Sequence, residues 1–245
     1  MKKAGAVLTD GAGSARALPH GVSAVKAKTH VRSSRVSRPM IIAVDGPAAS
    51  GKGTIARALA AHFGLPHMDT GLLYRATALN LMEMGGDPDS EFAAARATDL
   101  SQIDFADAEL KSETVGGIAS RISAYPQVRQ ALLERQRRFA TQEGGAVLDG
   151  RDIGTVIAPE AAVKLFVTAR PEIRAQRRYA ELKARGLDVH YADVLADIHA
   201  RDERDTGRDA APLVMAEDAI LLDTSDMAVD SAIAAAIAAA EAKAA

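Results

Sequence analysis

From residue 40 onward, short apolar runs alternate with stretches of helical periodicity. The runs predict strands at Met40–Asp45, Ala146–Asp149, Val163–Thr168 and Ala219–Leu222, with a short further strand at Pro66–Asp69. Between them the pattern predicts a helix over Gly51–Phe63, stopped near Gly64, and another over Thr70–Met84, stopped by Gly85-Gly86. After Pro126, the positions Val128, Ala131, Leu132 and Phe139 mark one helix face, and Pro171 suits the first turn of a helix that aligns Ala175, Tyr179 and Leu182. From Tyr191 to Arg208, Val194, Ile198, Arg201 and Asp205 share a face that changes from apolar to charged, with Gly207 placed to end the helix. Val229, Ile233 and Ile237 form a stripe in an Ala-rich C-terminal helix. Asp87–Gly117 reads as a helix followed by polar, irregular chain, a small mobile insert with no recognisable hairpin. The alternation as a whole implies an α/β fold, a central parallel sheet of about five strands flanked by helices.

Composition narrows the chemistry. The 245 residues include no Cys, which excludes a disulfide scaffold, a thiol nucleophile and a Cys-ligated metal, and fits a reducing, cytoplasmic setting. No apolar, uncharged run approaches the roughly 18 residues of a membrane span, so a soluble protein with no membrane partner is expected. The net charge of −2 argues against nucleic acid as a partner of the whole chain, but the charge is unevenly spread. Residues 1–39 hold eight basic groups against the single acid Asp10, in a Ser-, Gly- and Ala-rich stretch without apolar periodicity that is expected to be disordered. Three accounts of it stay open: a translation start placed upstream of Met40, a transit peptide, and a basic tail that touches anionic surfaces.

Gly46-Pro47-Ala48-Ala49-Ser50-Gly51-Lys52 follows directly on the first strand and opens a helix, the setting of a phosphate-binding loop. There the glycines let backbone N–H groups converge on phosphate oxygens, the helix N-terminus adds its dipole, and Lys52 supplies a cation. The residue after Lys52 is Gly53, with the hydroxyl one place later at Thr54, which leaves Mg²⁺ to be held through phosphates and waters rather than by a loop hydroxyl.

Four segments occur in order with this loop: Val44-Asp45-Gly46-Pro47, Met68-Asp69-Thr70-Gly71-Leu72-Leu73-Tyr74-Arg75, Leu148-Asp149-Gly150-Arg151-Asp152-Ile153-Gly154-Thr155-Val156 and Arg201-Asp202-Glu203-Arg204-Asp205. Together with Gly51-Lys52-Gly53-Thr54 they resemble the bacterial cytidylate kinases, P-loop nucleoside monophosphate kinases, from about Met40 to the C-terminus. The resemblance implies a kinase domain over 40–245 with an acceptor-binding insert at about 86–120, reduced in length, and a helical lid at about 188–212. It implies a monomer that transfers the γ-phosphate of ATP to CMP or dCMP with Mg²⁺. ATP would lie on Gly46, Pro47, Ala48, Ala49, Ser50, Gly51, Lys52, Gly53 and Thr54. The acceptor's phosphate would be held by Thr70, Arg75 and Arg151, its base by Ser120, Arg129, Asp152 and Arg208, and its ribose by Arg201 and Asp205. Lys52, Arg151, Asp152, Arg201, Arg204 and Arg208 would serve transfer, with Asp45 and Asp149 near Mg²⁺-bound waters.

Read without the resemblance, these residues keep other roles open. Thr70 and Ser120 suit helix caps, Arg151 with Asp152 suits a local ion pair, Arg75 a surface salt bridge, and the 191–208 helix a solvated charged end. The acceptor can also be uridylate, another nucleotide or a small metabolite such as shikimate, and a non-catalytic nucleotide sensor or a nucleic-acid binder acting through the basic tail is a different class of function. The six His form no metal motif, and each reads as a surface residue.

Overall fold

The computed structural model describes residues 39–244, so residues 1–38, and with them the three accounts of the basic extension, lie outside the described residues. Five strands, β1 (Met40–Asp45), β2 (His67–Asp69), β3 (Gly145–Gly150), β4 (Val163–Thr168) and β5 (Ile220–Asp223), pair in parallel in the order β2-β3-β1-β4-β5. Strand β1 takes the centre because it is apolar on both faces. Ile42 and Val44 meet Ile55 and Leu59 of α1 (Lys52–Phe63) on one side, while Ile41 and Ala43 meet Ala140, Leu148 and Ile153 on the other. The chain lays β2 and β3 on one side of β1 and β4 and β5 on the other. In such sheets the carboxyl ends of the strands, where the order reverses, open a crevice.

Helix α2 (Thr70–Glu83) leads to α3 (Glu91–Arg96), a 3₁₀ turn (Ala108–Lys111) and α4 (Glu113–Ile122). The expected helix followed by irregular chain is therefore present, but α4 overlaps the end of that stretch and was not anticipated. Val115, Ile118, Ala119 and Ile122 fall at i, i+3, i+4 and i+7 and are buried, with the Ser112 hydroxyl accepting the Val115 N–H as cap. This segment packs its apolar side chains, with those of α2 and the start of α5 (Pro126–Ala140), into a cluster of its own that includes Leu73, Leu81, Leu110 and Leu132.

Two expected helix faces are corrected. On α5 the buried row is Val128, Leu132, Gln136 and Ala140, and Ala131 is exposed; Gln136 is tolerated there because its amide donates to the Leu132 carbonyl at 3.1 Å. On α8 (Val229–Ala244) the buried row is Ala232, Ala236 and Ala240, Ile233 and Ile237 flank it, and Val229 is 62% exposed. Small side chains let α8 approach α1 closely, so the bulkier residues take the margins. The remaining helices, α6 (Pro171–Ala184) and α7 (Tyr191–Gly207), pack on each other through Ala175, Leu182, Val194 and Ile198, with Ala48 of the loop after β1 in the same cluster.

Gly46 fixes the exit of β1. Its φ is +153°, and a Cβ there would stand 1.9 Å from the backbone oxygen of Val167 on β4. Backbone on both sides leaves little to yield. Gly46→Ala is expected to cost about 3 kcal/mol or more, seen as a fall in Tm of roughly 10 °C in a thermal melt.

Candidate active site

A cleft of about 860 Å³ opens at the carboxyl ends of β1 and β3, lined by the loop after β1, the start of α2, α4, the β3 exit, α6 and α7. Its first wall is Ala48–Thr54. Gly51, with φ +90°, caps α1 without a side-chain hydrogen bond, and no acid stands in the first helical turn, so the helix presents its free N–H groups. The loop carbonyls are held outward. Arg174 donates to the Ala48 carbonyl at 3.3 Å, and the Thr224 hydroxyl and Arg177 reach the Ser50 carbonyl at 3.1 and 3.4 Å. Lys52 Nζ donates to the Pro47 carbonyl at 3.2 Å. Burial, and next the charge of Arg151, lowers its ammonium to about 7.

The second wall gathers residues expected to meet the acceptor. Asp152 is buried and ion-paired with Arg129 of α5, and Arg208 Nη2 stands 4.0 Å from the other Asp152 oxygen. Ser120 of α4 accepts from Arg204 Nε of α7 at 3.3 Å, which joins these two helices across the cleft. Arg151 donates to Asp205 at 2.7 Å. Arg151 and Asp152 are therefore partners of other elements rather than of each other. On α7, Ile198, Arg201 and Asp205 all reach the cleft, and the helix ends at Gly207 as expected. Burial, then Arg151, holds the Arg201 guanidinium down at about 10.

Among the described residues, four buried side-chain atoms have no hydrogen-bond partner: Ser50 Oγ, Thr155 Oγ1, Arg201 Nε and Arg208 Nη2. Three of the four belong to cleft residues. The unused Arg201 donor, close enough to Lys52 to bear on its charge, suits an anion with several oxygens at the bare helix N–H groups, while Arg208 Nη2 stands on the Asp152 wall.

Other expected residues have different partners. The cap of α2 is Asp69, which accepts the Gly71 N–H, while the Thr70 hydroxyl donates to the Asp149 carbonyl at 2.9 Å. Arg75 lines the cleft but donates to the carbonyls of Leu110 and Ser112 in the insert, at 2.8 and 3.1 Å. Asp45 does not line the cleft. Its two oxygens accept the N–H groups of Ile153 and Gly154, both at 2.8 Å, where a π-helical turn (Ile153–Ile157) leaves β3. Burial raises its carboxyl to about 6, those two donors only partly opposing it. A place beside metal-bound water thus does not fit Asp45.

Asp149 fits that place better: it lines the cleft, and its Oδ2 is 3.6 Å from where a Cβ of Gly53 would stand, flanking the position that lacks a loop hydroxyl. Its Oδ1 is 2.7 Å from Nε2 of His67, so His67 is half-buried at β2 and not the surface residue expected. No cluster of three or more metal-ligating side chains exists among the described residues. Arg174, Arg177 and His67 escaped the sequence reading. Only the i, i+3 spacing of the two arginines on a helix that follows a strand hinted at a shared face.

A profile of the cytidylate kinases matches residues 42–242. The chain belongs to the cytidylate kinase family. It is 58% identical over 199 residues to a cytidylate kinase of Methylocella silvestris, covering 81% of this chain and 92% of the relative. A cytidylate kinase of Xanthobacter autotrophicus is 57% identical over 206 residues, 83% and 98% of the two chains, and one of Brucella suis is 52% identical over 202 residues, 82% and 92%. One glycine crowds an arginine of the cleft. A Cβ on Gly116 would stand 2.7 and 3.0 Å from the guanidinium nitrogens of Arg75, whereas nothing lies within 4 Å of one on Gly117.

The Arg75 guanidinium is the movable partner in that contact. Gly116→Ala is therefore expected to keep or raise Tm, since Ala favours a helix interior by about 1 kcal/mol over Gly, while weakening CMP binding about tenfold. Gly117→Ala gives the same helix gain with unchanged binding. Thermal melts and CMP titrations of both variants check this.

Proposed function

We propose that the chain is an ATP-dependent kinase of CMP and dCMP, moving the γ-phosphoryl group of ATP to the acceptor phosphate and releasing ADP with CDP or dCDP in pyrimidine nucleotide metabolism. The observation that carries this reading is the Arg129–Asp152–Arg208 constellation in the cleft that also holds the phosphate loop. Cytosine presents an amino group that needs an acceptor, and a ring nitrogen and carbonyl that need donors. Asp152 supplies the first; Arg129, Ser120 and the unused Nη2 of Arg208 supply the others. Uracil would turn a carbonyl toward the Asp152 carboxylate and leave both oxygens without a proton between them.

Residues 86–120 act in this reading as the acceptor-binding insert and 188–212 as the lid. Lys52 and the loop N–H groups bind the donor phosphates. Arg75 and Arg151, with Thr70 after its hydroxyl turns from the Asp149 carbonyl, bind the acceptor phosphate, and Arg201 and Asp205 take the ribose. Arg201, Arg204 and Arg208 offset the repulsion between the two phosphates as they come into line. The acceptor phosphate is already an oxyanion, so the chain needs no general base; its task is to position, neutralise and exclude water. Mg²⁺, bound to the phosphates and reached by Asp149 through water, would add further charge neutralisation. ATP and CMP as substrates support a cytoplasmic setting. Among the described residues no helix is long and apolar enough to cross a membrane.

ADP release measured with ATP and Mg²⁺ is expected to be rapid for CMP and dCMP and slow for UMP, AMP, GMP and shikimate. Arg129→Ala should lose that preference, and Lys52→Ala should lose about a hundredfold in rate. Binding of ATP with none of the acceptors phosphorylated would sink the kinase reading in favour of a nucleotide sensor.

The lowered Lys52 gives a second check. Phosphate favours the ammonium form, so nucleotide binding draws a proton between about pH 7 and the higher pKa of the complex, and affinity falls as pH rises through that window. Calorimetry of ADP at pH 8, in buffers of different ionisation enthalpy, should show uptake of up to about one proton that Lys52→Arg removes.

A further inference from the structure

Arg174 is almost fully buried, and its donors are divided between the two halves of the phosphate-transfer machinery. Its Nε donates to the Ala169 carbonyl at 2.8 Å, at the end of β4. Its Nη1 donates both to the Ala48 carbonyl in the phosphate loop, at 3.3 Å, and to Asp202 Oδ1 on α7, at 3.0 Å. Nη2 completes a two-point clamp on Asp202 at 2.5 Å. Three residues further along α7, Asp205 is held by Arg151 at 2.7 Å. Helix α7 is thus tied by one carboxylate toward the loop that receives the donor and by another toward the β3 exit that receives the acceptor. Between these ties lies Arg204, and Arg201 directly precedes the first.

We infer that Arg174 and Asp202 are a pair of positioning residues that transmit occupancy of the phosphate loop to the lid helix; this rests on the kinase reading given above. Phosphate oxygens gathered by the loop N–H groups draw that loop toward the cleft. The Ala48 carbonyl moves with it, and the same guanidinium nitrogen that holds this carbonyl also holds Asp202. A planar, bidentate guanidinium–carboxylate contact resists rotation, so the displacement reaches α7 as a change in its setting rather than being absorbed by a flexible side chain. Filling the donor site therefore orders Arg201 and Arg204 over the cleft before transfer, and limits loss of the phosphoryl group to water.

The alternative is that Arg201 and Arg204 are drawn directly by the phosphates, with no need of the Arg174 link. Hydrogen exchange of the α7 amides, residues 191–207, with and without ADP–Mg²⁺, separates the two in the full-length protein. In the wild type ADP is expected to slow exchange along α7 about tenfold. Asp202→Ala, changed on the partly exposed side of the pair, should bind ADP within about threefold of wild type, lose the ADP-induced protection of α7, and show about a tenfold lower kcat with little change in KM for ATP. Its ATP hydrolysis without acceptor should rise relative to transfer. Arg174→Met should lose the same protection, and the double variant should be no worse than the poorer single one. Retention of ADP-induced protection in Asp202→Ala overturns the inference, as does its absence in the wild type. Should Arg174→Met fail to fold, Asp202→Ala decides alone. Failure of the wild type to bind ADP would instead overturn the kinase reading beneath it.

Discussion

The turn from β1 into α1 can aim its amides at an anion because its carbonyls are occupied elsewhere. With Pro47 in it, a loop this tight has more backbone acceptors than donors, and unless the acceptors are satisfied outside the cleft they would compete for the space an anion needs. Arg174 and Arg177, with the Thr224 hydroxyl, take the carbonyls of Ala48 and Ser50. On the other side, Gly46 lets the backbone pass against the Val167 carbonyl. The central strand, α6 and the end of β5 thus all contribute to one arrangement of about nine residues, from which the acceptor-side groups are then displaced by fixed amounts.

That arrangement leaves the cleft electrostatically unfinished. Burial lowers Lys52 to about 7 and Arg201 to about 10, and Arg201 Nε and Arg208 Nη2 have no hydrogen-bond partner among the described residues. A protein selected for stability alone would neutralise these groups or move them to the surface. Here the carboxylates on the acceptor side do not cancel the charge so much as orient it: Asp205 aims Arg151, and Asp152 aims Arg129. Asp45 acts one step further back, accepting two backbone N–H groups so that the chain after Asp152 turns sharply away from the cleft.

The parallel sheet, its flanking helices and the phosphate loop were legible because each rests on local signals: apolar runs, glycines beside a helix start, and a proline at a first turn. That the motif residues would gather in one cleft was legible through motif rather than pattern, since nothing local tells that Arg129 will meet Asp152 across 23 positions. What escaped had two physical causes. Helix α4 carries a full apolar stripe, but Gly116 and Gly117 in its middle disguise it, and the reason for Gly116 is a guanidinium from another helix. His67 and Asp45 act through tertiary partners far off in sequence, so their types alone suggested a surface imidazole and a metal-side carboxylate, and Arg174, whose partners are as distant, drew no reading at all. The Ala row of α8 was missed because helix packing rewards closeness as well as hydrophobic bulk.

The insert draws its apolar contacts from α2, α3, α4 and α5, and little of that cluster is shared with either face of the sheet. Such a partition separates the evolutionary histories open to the two parts. The groups that support the phosphate loop's carbonyls lie elsewhere in the chain, whereas the segments between α2 and α5 are held by apolar packing on those two helices and by polar contacts such as Ser120 with Arg204, Glu113 with Arg178 and the Lys111 carbonyl with Arg185. Sequence between α2 and α5 can thus vary without touching Arg174, Arg177 and Thr224, which brace the carbonyls of the phosphate loop.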